Sequence, residues 1–319
     1  MKRLGYAFGA ALAVAAGGAA ADTFPDGPIT WVVNWPAGGG QDTTSRLMAT
    51  RLSDVLGVPI VIENYEGAGG LVGMRALAAS EPDGYTIGML GTSSIIQQYT
   101  MDEPVMMDDL TVLSLFGPDP AALSVHADTP FESLEDFVSA AREAPGSVPN
   151  GNDPPGGASY IAATILETEL GIELNKIPYG GFAPTVTALL GGEVSSATVP
   201  IPQVIEHHAS GAVRILGVMA DQRHFLAPEV PTFAEQGFDV IAGDFRAVVG
   251  PAGIPEERAA ILSEALVSVL SSDDFVEAAN AAGYMIDPFG AEEAQARIVA
   301  FDTAVYPVLE GAGLVTNPR

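Results

Sequence analysis

The chain has 319 residues, of which 40 are acidic and 13 basic, giving a formal charge of −27, and 48% are hydrophobic. That length is more than one hydrophobic core usually serves, so two domains are expected, and the hydrophobic share excludes a disordered chain. The charge excludes nucleic acid and anionic membrane surfaces as partners, since both are held through basic patches.

The first residues, "MKRLGYAFGAALAVAAGGAAADTFPD", place Lys2 and Arg3 before an apolar stretch that ends in small residues at Ala19 to Ala21. This is the pattern of a secretory signal over residues 1–21, cleaved after Ala21. The mature protein is therefore expected outside the cytoplasm, in the periplasm of a cell with two membranes. There is no cysteine, which excludes a disulfide framework and a lipid-anchored thiol.

Strand-like and helix-like segments then alternate. "ITWVVNW" reads as a strand, and "DTTSRLMATRLSDVLG" as a helix stopped by Gly57. "PIVIEN" is a second strand, "LVGMRALAAS" a helix, Pro82-Asp83-Gly84 a turn and "YTIGML" a third strand. At "GPDPAA", Gly117 to Ala122, the rhythm breaks as at a crossing between domains. The module then recurs: strand "SVPNGN", turn "DPPGG", helix "ASYIAATILETELG" and strand "IELNKIPY". After "VRILGVMA", the proline-bounded "PEVPTFAEQG" suits a second crossing, and the C-terminal third is helical. The expectation is an α/β protein of two lobes, residues 22–122 plus 221–319 and residues 123–220, with a ligand cleft between them.

Two glycine turns precede helices, Pro36 to Gly40 and Asp153 to Gly157. A phosphate-binding loop needs a lysine that "PAGGGQDTT" lacks, and "GAGGLVG" misses the dinucleotide spacing by one residue. What remains is the helix start itself, whose first N–H groups lack partners and carry about half a positive charge. Glycines before it let an anion approach those groups, so two facing turns would bridge a molecule with two carboxylates. The plainer alternative is a pair of tight connections, with Asp42 as a helix cap.

These segments also resemble a family. "FPDGPITWVVNWPAGGGQD", "VPIVIENYEGAGG", "EPDGYTIGM", "IPYGGFAPTVTALLGGEV", "APEVPTFAEQGF" and "FRAVVGPAGIPEE" are similar to the Bug-type receptors, the periplasmic substrate-binding proteins of tripartite tricarboxylate transporters. The resemblance implies a two-lobed periplasmic-binding-protein fold, type II-like, that closes on a small carboxylate and partners the transporter's membrane subunits. It implies that one ligand carboxylate meets the turn at Pro36, Ala37, Gly38, Gly39 and Gly40, with Asp42 at the helix start. A second would meet Gly156, Gly157, Ala158 and Ser159, with Tyr160 where the family often has histidine. Thr92 and Ser93 match hydroxyl donors lining the cleft, and Phe245 and Arg246 match an aromatic residue and its neighbour. The chain departs from the family at Gly180, where lysine is common, and at Val199-Pro200, where many members have Asp-Asn.

Among other side chains, Arg246 in "AGDFRAVVG" reads either as a carboxylate binder or as the partner of Asp244 or another acid. Trp35 adjoins the first turn and is the better placed of the two tryptophans to reach a cleft. Catalysis finds little support. No pair among His126, His207, His208 and His224 has metal spacing, and "GTSSI" lacks the nucleophile elbow. No metal, cofactor or catalytic residue is expected, and a monomer is. The competing readings are a secreted hydrolase using Ser93 or Ser159, and a receptor that presents its ligand to a sensor protein.

Overall fold

The computed structural model describes residues 24–319, so the export signal expected over residues 1–21 lies outside it. The first module runs β1 (Ile29–Val33), α1 (Gly40–Leu56), β2 (Ile60–Asn64), α2 (Leu71–Ala78), β3 (Thr86–Leu90) and α3 (Thr92–Thr100). β1 is apolar at four of five positions and buried almost throughout, as a central parallel strand covered on both faces should be. α1 stops where Gly57 turns left-handed at φ 70° and returns its N–H to Ser53 O.

The long strand β4 (Leu110–His126) leads into α4 (Leu134–Glu143), β5 (Pro149–Asn152), α5 (Ala158–Leu170), β6 (Asn175–Pro178), α6 (Phe182–Leu190) and β7 (Ser196–Pro200). A short α7 (Ile205–Ala209) and β8 (Val213–Val218) follow, and β9 (Gly243–Pro251) brings the chain back. α8 (Glu256–Leu270), α9 (Asp273–Ala281), β10 (Phe289–Gly290) and α10 (Ala291–Gly311) complete it.

The strand order is β2-β1-β3-β9-β4-β7-β5-β6, with β8 and β10 also paired to β4. β1 is parallel to β2 and β3, and β5 to β6 and β7, while β9 and β4 run antiparallel to their neighbours. The expected α/β fold of two lobes is therefore present, each lobe built on its own half of one continuous sheet. Apolar clusters cover both faces of each half. Trp31, Met48 and Phe275 anchor one in the first lobe, and Phe137, Leu166 and Phe233 one in the second. A smaller cluster ties the lobes along one side, joining Ile96 and Tyr99 of α3, Ile161 of α5, and Val305 and Leu309 of α10.

β4 pairs with β9 up to Pro120–Gly243 and with β7 and β8 from Ala121 and Ala122 onward, so the first crossing falls within "GPDPAA". The second does not fall at "PEVPTFAEQG". Phe233, Val240 and Ala242 are buried in the second lobe's core, and Thr232 bridges Val218 of β8. Residues 221–242, expected in the first lobe, thus pack on the second, and the return crossing is at Ala242 to Asp244. The prolines bound a loop, but buried Phe233 and Val240 decide which core it joins. Gly243 permits the crossing strands to approach, since a Cβ there would stand 2.6 Å from Asp119 O.

Candidate functional site

The starts of α1 and α3 reach the crossing strand β9 at Arg246 and Asp244, and the turn before α5 packs on α3 at Ile96 and Thr100. They are not equivalent. At α1 the turn from Pro36 to Gly38 is exposed, and the Gly39 N-cap has no side-chain partner. The turn closes on itself: Gly39 N–H donates to Pro36 O at 3.2 Å, and Gly38 N–H to Asp42 Oδ2 at 2.8 Å. The first intrahelical bond is Thr43 N–H to Gly39 O, so the N–H groups of Gly40, Gln41 and Asp42 precede the helical ladder.

Asp42 faces its own chain. Arg46 grips both its oxygens at 2.9 Å, and Asn64 Nδ2 donates to Oδ1 at 3.0 Å. The Arg46 hydrogen bond leads the influences that pull the carboxyl down to about 2, against an ordinary 3.8. It orders the turn from behind and offers nothing to a ligand. Trp35 is half-buried against the first core, and its carbonyl accepts from Asn64, so it too buttresses the turn.

At α3 the start is already occupied. Asp244 Oδ1 accepts from Thr92 N–H and Thr92 Oγ1, each at 2.8 Å, and from Phe245 N–H at 2.9 Å. The hydroxyl and amide of Thr92, expected to line the cleft as free donors, serve this carboxylate instead. Ser93 is buried beside it.

At α5 the chain again supplies its own anion. Ser159 N–H donates to Asp153 Oδ2 at 3.1 Å, and Asp153 N–H donates to Ser159 Oγ at 2.7 Å. Gly157 is required here because a Cβ would stand 2.3 Å from that of Asp153. Ser159 is therefore a cap rather than a nucleophile. Gly156 takes φ 90° at the turn's apex, and Ala158 opens the helix. Tyr160 turns aside, packing in the interlobe cluster with Lys176 Nζ 4.5 Å above its ring. Beneath the turn lies a fully buried polar pedestal that the sequence reading missed. Asn152 Nδ2 donates to Asn150 Oδ1 at 2.7 Å, Asn150 Nδ2 to Ser196 Oγ at 2.8 Å and Thr198 Oγ1 to Asn152 Oδ1 at 2.7 Å. Its signal was the polar "PNGN" in a strand.

The crossing strands add charge. Asp119 stands opposite Asp244 in the β4–β9 ladder, with Gly117 opposite Arg246, so the two acids and the arginine share one face. Arg246 Nη1 pairs with Asp119 Oδ2 at 2.8 Å, resolving the open choice of acid in favour of Asp119. The guanidinium lies 4.5 Å from the Tyr284 ring centroid and close to Gly40, where a Cβ would be 3.6 Å from Nη2. Its Nε, fully buried, has no partner among the described residues. Burial opposes this charge, but Asp119, Asp244 and Tyr284 outweigh it and hold the pKa above its ordinary value.

Phe245 is not brought to this face. It packs edge-on against Phe301 of α10 at 5.5 Å and lines a cavity of about 460 Å³ behind the crossing, with Phe289 and Val305. Asp244 also lines that cavity. Of the expected residues, Gly40 and Arg246 converge. Thr92, Asp42 and Ser159 are engaged by their own chain, and Trp35, Tyr160 and Phe245 pack elsewhere. Asp119, flanked by two prolines in an apolar strand, and Tyr284 were missed. An acid at a proline-bounded break in an apolar run was the available signal for the first.

Two α/β lobes hinged on paired strands, with two helix starts reaching a crossing strand, define a class of protein: a solute-binding receptor, which holds a ligand without transforming it. The chain belongs to the tripartite tricarboxylate transporter family of receptors, whose model matches residues 44–305. It is 33% identical to Protein BugT of Bordetella pertussis over 268 residues, covering 82% of each chain. Among solved structures, it is similar to Rpa4515 of Rhodopseudomonas palustris with adipate, at 26% identity and a TM-score of 0.80, covering 92% of this chain and 99% of that one. It is likewise similar to MatC from the same organism with bound malate, at 25% identity and a TM-score of 0.72, covering 90% and 98%.

Proposed function

We propose that this receptor captures a small organic acid in the periplasm and delivers it to the membrane subunits of a tripartite tricarboxylate transporter. The observation that carries the reading is the uncapped start of α1 beside the guanidinium of Arg246, whose Nη2 lies close to Gly40. Backbone N–H groups at a helix start and one edge of a guanidinium together suit a carboxylate. The adipate and malate held by two similar proteins support the ligand class. Gly40, Gln41 and Asp42 supply amides, and Arg246, steadied by Asp119 and Tyr284, supplies the cation. The protein acts as a monomer, and closure of the lobes expels water from the ligand.

A thermal-shift panel of mono-, di- and tricarboxylates, with and without amino groups, tests this. Ligand at about 100 times its dissociation constant adds roughly 2.7 kcal/mol to folding stability, which appears as a midpoint several degrees higher. A rise with a neutral sugar and with no acid would overturn the reading.

A further inference from the structure

One segment of the first lobe reaches the second beside the crossing strands. Residues 283–287 follow α9 and are pinned to the first lobe at both ends. Gly283 N–H donates to Asn280 O and Tyr284 N–H to Ala279 O, each at 2.9 Å. At the other end, Asp287 N–H donates to Phe116 O of β4 at 2.8 Å. Gly117, at φ 136°, makes room there, since a Cβ would stand 2.7 Å from Asp287 N. Tyr284 and Ile286 also pack on the first lobe's core.

Between these anchors, Gly283 presses on the second lobe. A Cβ at Gly283 would be 2.8 Å from Pro202 Cβ and 3.2 Å from Leu226 Cδ1. Leu226 packs on a second-lobe core that includes Val199, Ile201 and Val204. Gly283 also has φ 87°, so glycine serves both the conformation and the close approach. Pro202 follows shortly after Pro200, which pairs with Ala121 where β4 changes lobes. The contact therefore lies beside the hinge, and a change in lobe angle slides Gly283 over Pro202 and Leu226. The next residue touches the candidate site. Tyr284 Oη donates to Gly40 O at 3.4 Å, a long bond, and its ring centroid lies 4.5 Å from Arg246 Cζ. Adjacent residues of one short segment thus contact the opposing lobe and the carboxylate site.

We propose that residues 283–287 brace the hinge, and that Tyr284 is the positioning residue linking the carboxylate site to the lobe angle. Packed on Pro202 and Leu226, Gly283 limits the range of angles the lobes adopt. Tyr284, stacked on Arg246 and bonded at the α1 start, holds the brace in register with the groups that receive the acid. An acid bound there fixes Arg246, the guanidinium fixes the ring, and the ring fixes Gly283 beside it. The brace stands on packing alone; the link through Tyr284 rests on the carboxylate-receptor reading above.

The test is the distance between spin labels on the two lobes, measured by double electron–electron resonance on the intact protein. The chain has no cysteine, so Val55→Cys on α1 and Ala183→Cys on α6, both exposed, place one label on each lobe. Without ligand, Pro202→Ala combined with Leu226→Ala should broaden the distance distribution. Leu226→Met, which keeps the apolar reach, should leave it as in wild type. Leu226→Ala alone is read in the same way should the double variant fail to fold. Titration with adipate, malate and citrate then reads the link. The acid that narrows the wild-type distribution should be needed at about fivefold higher concentration once Pro202 and Leu226 are truncated. At saturating acid, Tyr284→Leu should lose most of the narrowing, and Tyr284→Phe, which keeps the ring, should retain it. An unchanged ligand-free distribution in the truncated variant overturns the brace. Full narrowing in Tyr284→Leu overturns the link. If truncation broadens the distribution but no acid narrows the wild type, the carboxylate reading and the link fall together, and the brace stands.

Discussion

The starts of α1 and α5 look alike in sequence, each a proline-and-glycine turn ahead of a helix, yet they differ in what they leave open. At α5 the turn carries Asp153, whose carboxylate bonds back to Ser159 N–H and fills the anion position from within. At α1 the acid sits three residues into the helix, and Asp42 bonds backward to Gly38, Arg46 and Asn64. Its side chain reinforces the turn from behind and leaves the N-cap at Gly39 bare. The same contrast separates α1 from α3, whose first amide is capped by Asp244 from a distant strand. A helix start receives an outside anion only where the chain has not provided its own.

The sharpest way to break that contrast is to give α1 the acid it lacks. Gly39 has extended backbone at φ −73° and ψ 171°, which aspartate adopts readily, and aspartate is a favoured N-cap. Gly39→Asp should place a carboxylate over the free amides and cost about 3 kcal/mol of ligand binding, on the order of 100-fold, through lost charge-assisted bonds and repulsion. The midpoint of the free protein should move by no more than a few degrees. Unchanged affinity for an acid would mean that its carboxylate docks elsewhere.

Asp42 sharpens the comparison through pH. Its folded pKa of about 2 lies below its unfolded value, so its contribution is present above roughly pH 4 and is lost as pH falls toward 2. The shift corresponds to about 2 kcal/mol. Urea unfolding should find Asp42→Asn less stable than wild type by about that amount at pH 7, with the gap closing below pH 4. A gap that persists unchanged at pH 2 would show that shape rather than charge holds the turn.

Much of the fold was legible because periodicity and glycine stops are local. "ITWVVNW", "PIVIEN" and the helix ending at Gly57 lie where the pattern put them, and the second module repeats the first. The return crossing was not legible, since prolines mark loops but cannot say which core Phe233 enters. In the site, the turns were visible and their occupancy was not. Asp244 is 152 residues from Thr92 in sequence, and Asp119 meets Arg246 only through the β4–β9 register. Phe245 and Arg246 are neighbours in the chain, but a strand sends them to opposite faces, so only one reaches the helix starts.

The α3 start allows the smallest and most discriminating change. Thr92 gives Asp244 both an amide and a hydroxyl, and only the second can be removed without disturbing the backbone. Thr92→Val keeps the branched shape and should cost about 1 kcal/mol of stability, the net worth of one hydrogen bond to a charged acceptor that retains other donors. If the hydroxyl serves the protein's own carboxylate, ligand affinity should change less than threefold. If it reaches the ligand, as the position alone suggested, affinity should fall tenfold or more with little change in stability. The two outcomes separate because a hydroxyl occupied by Asp244 at 2.8 Å has its single proton committed there, whatever else its lone pairs accept.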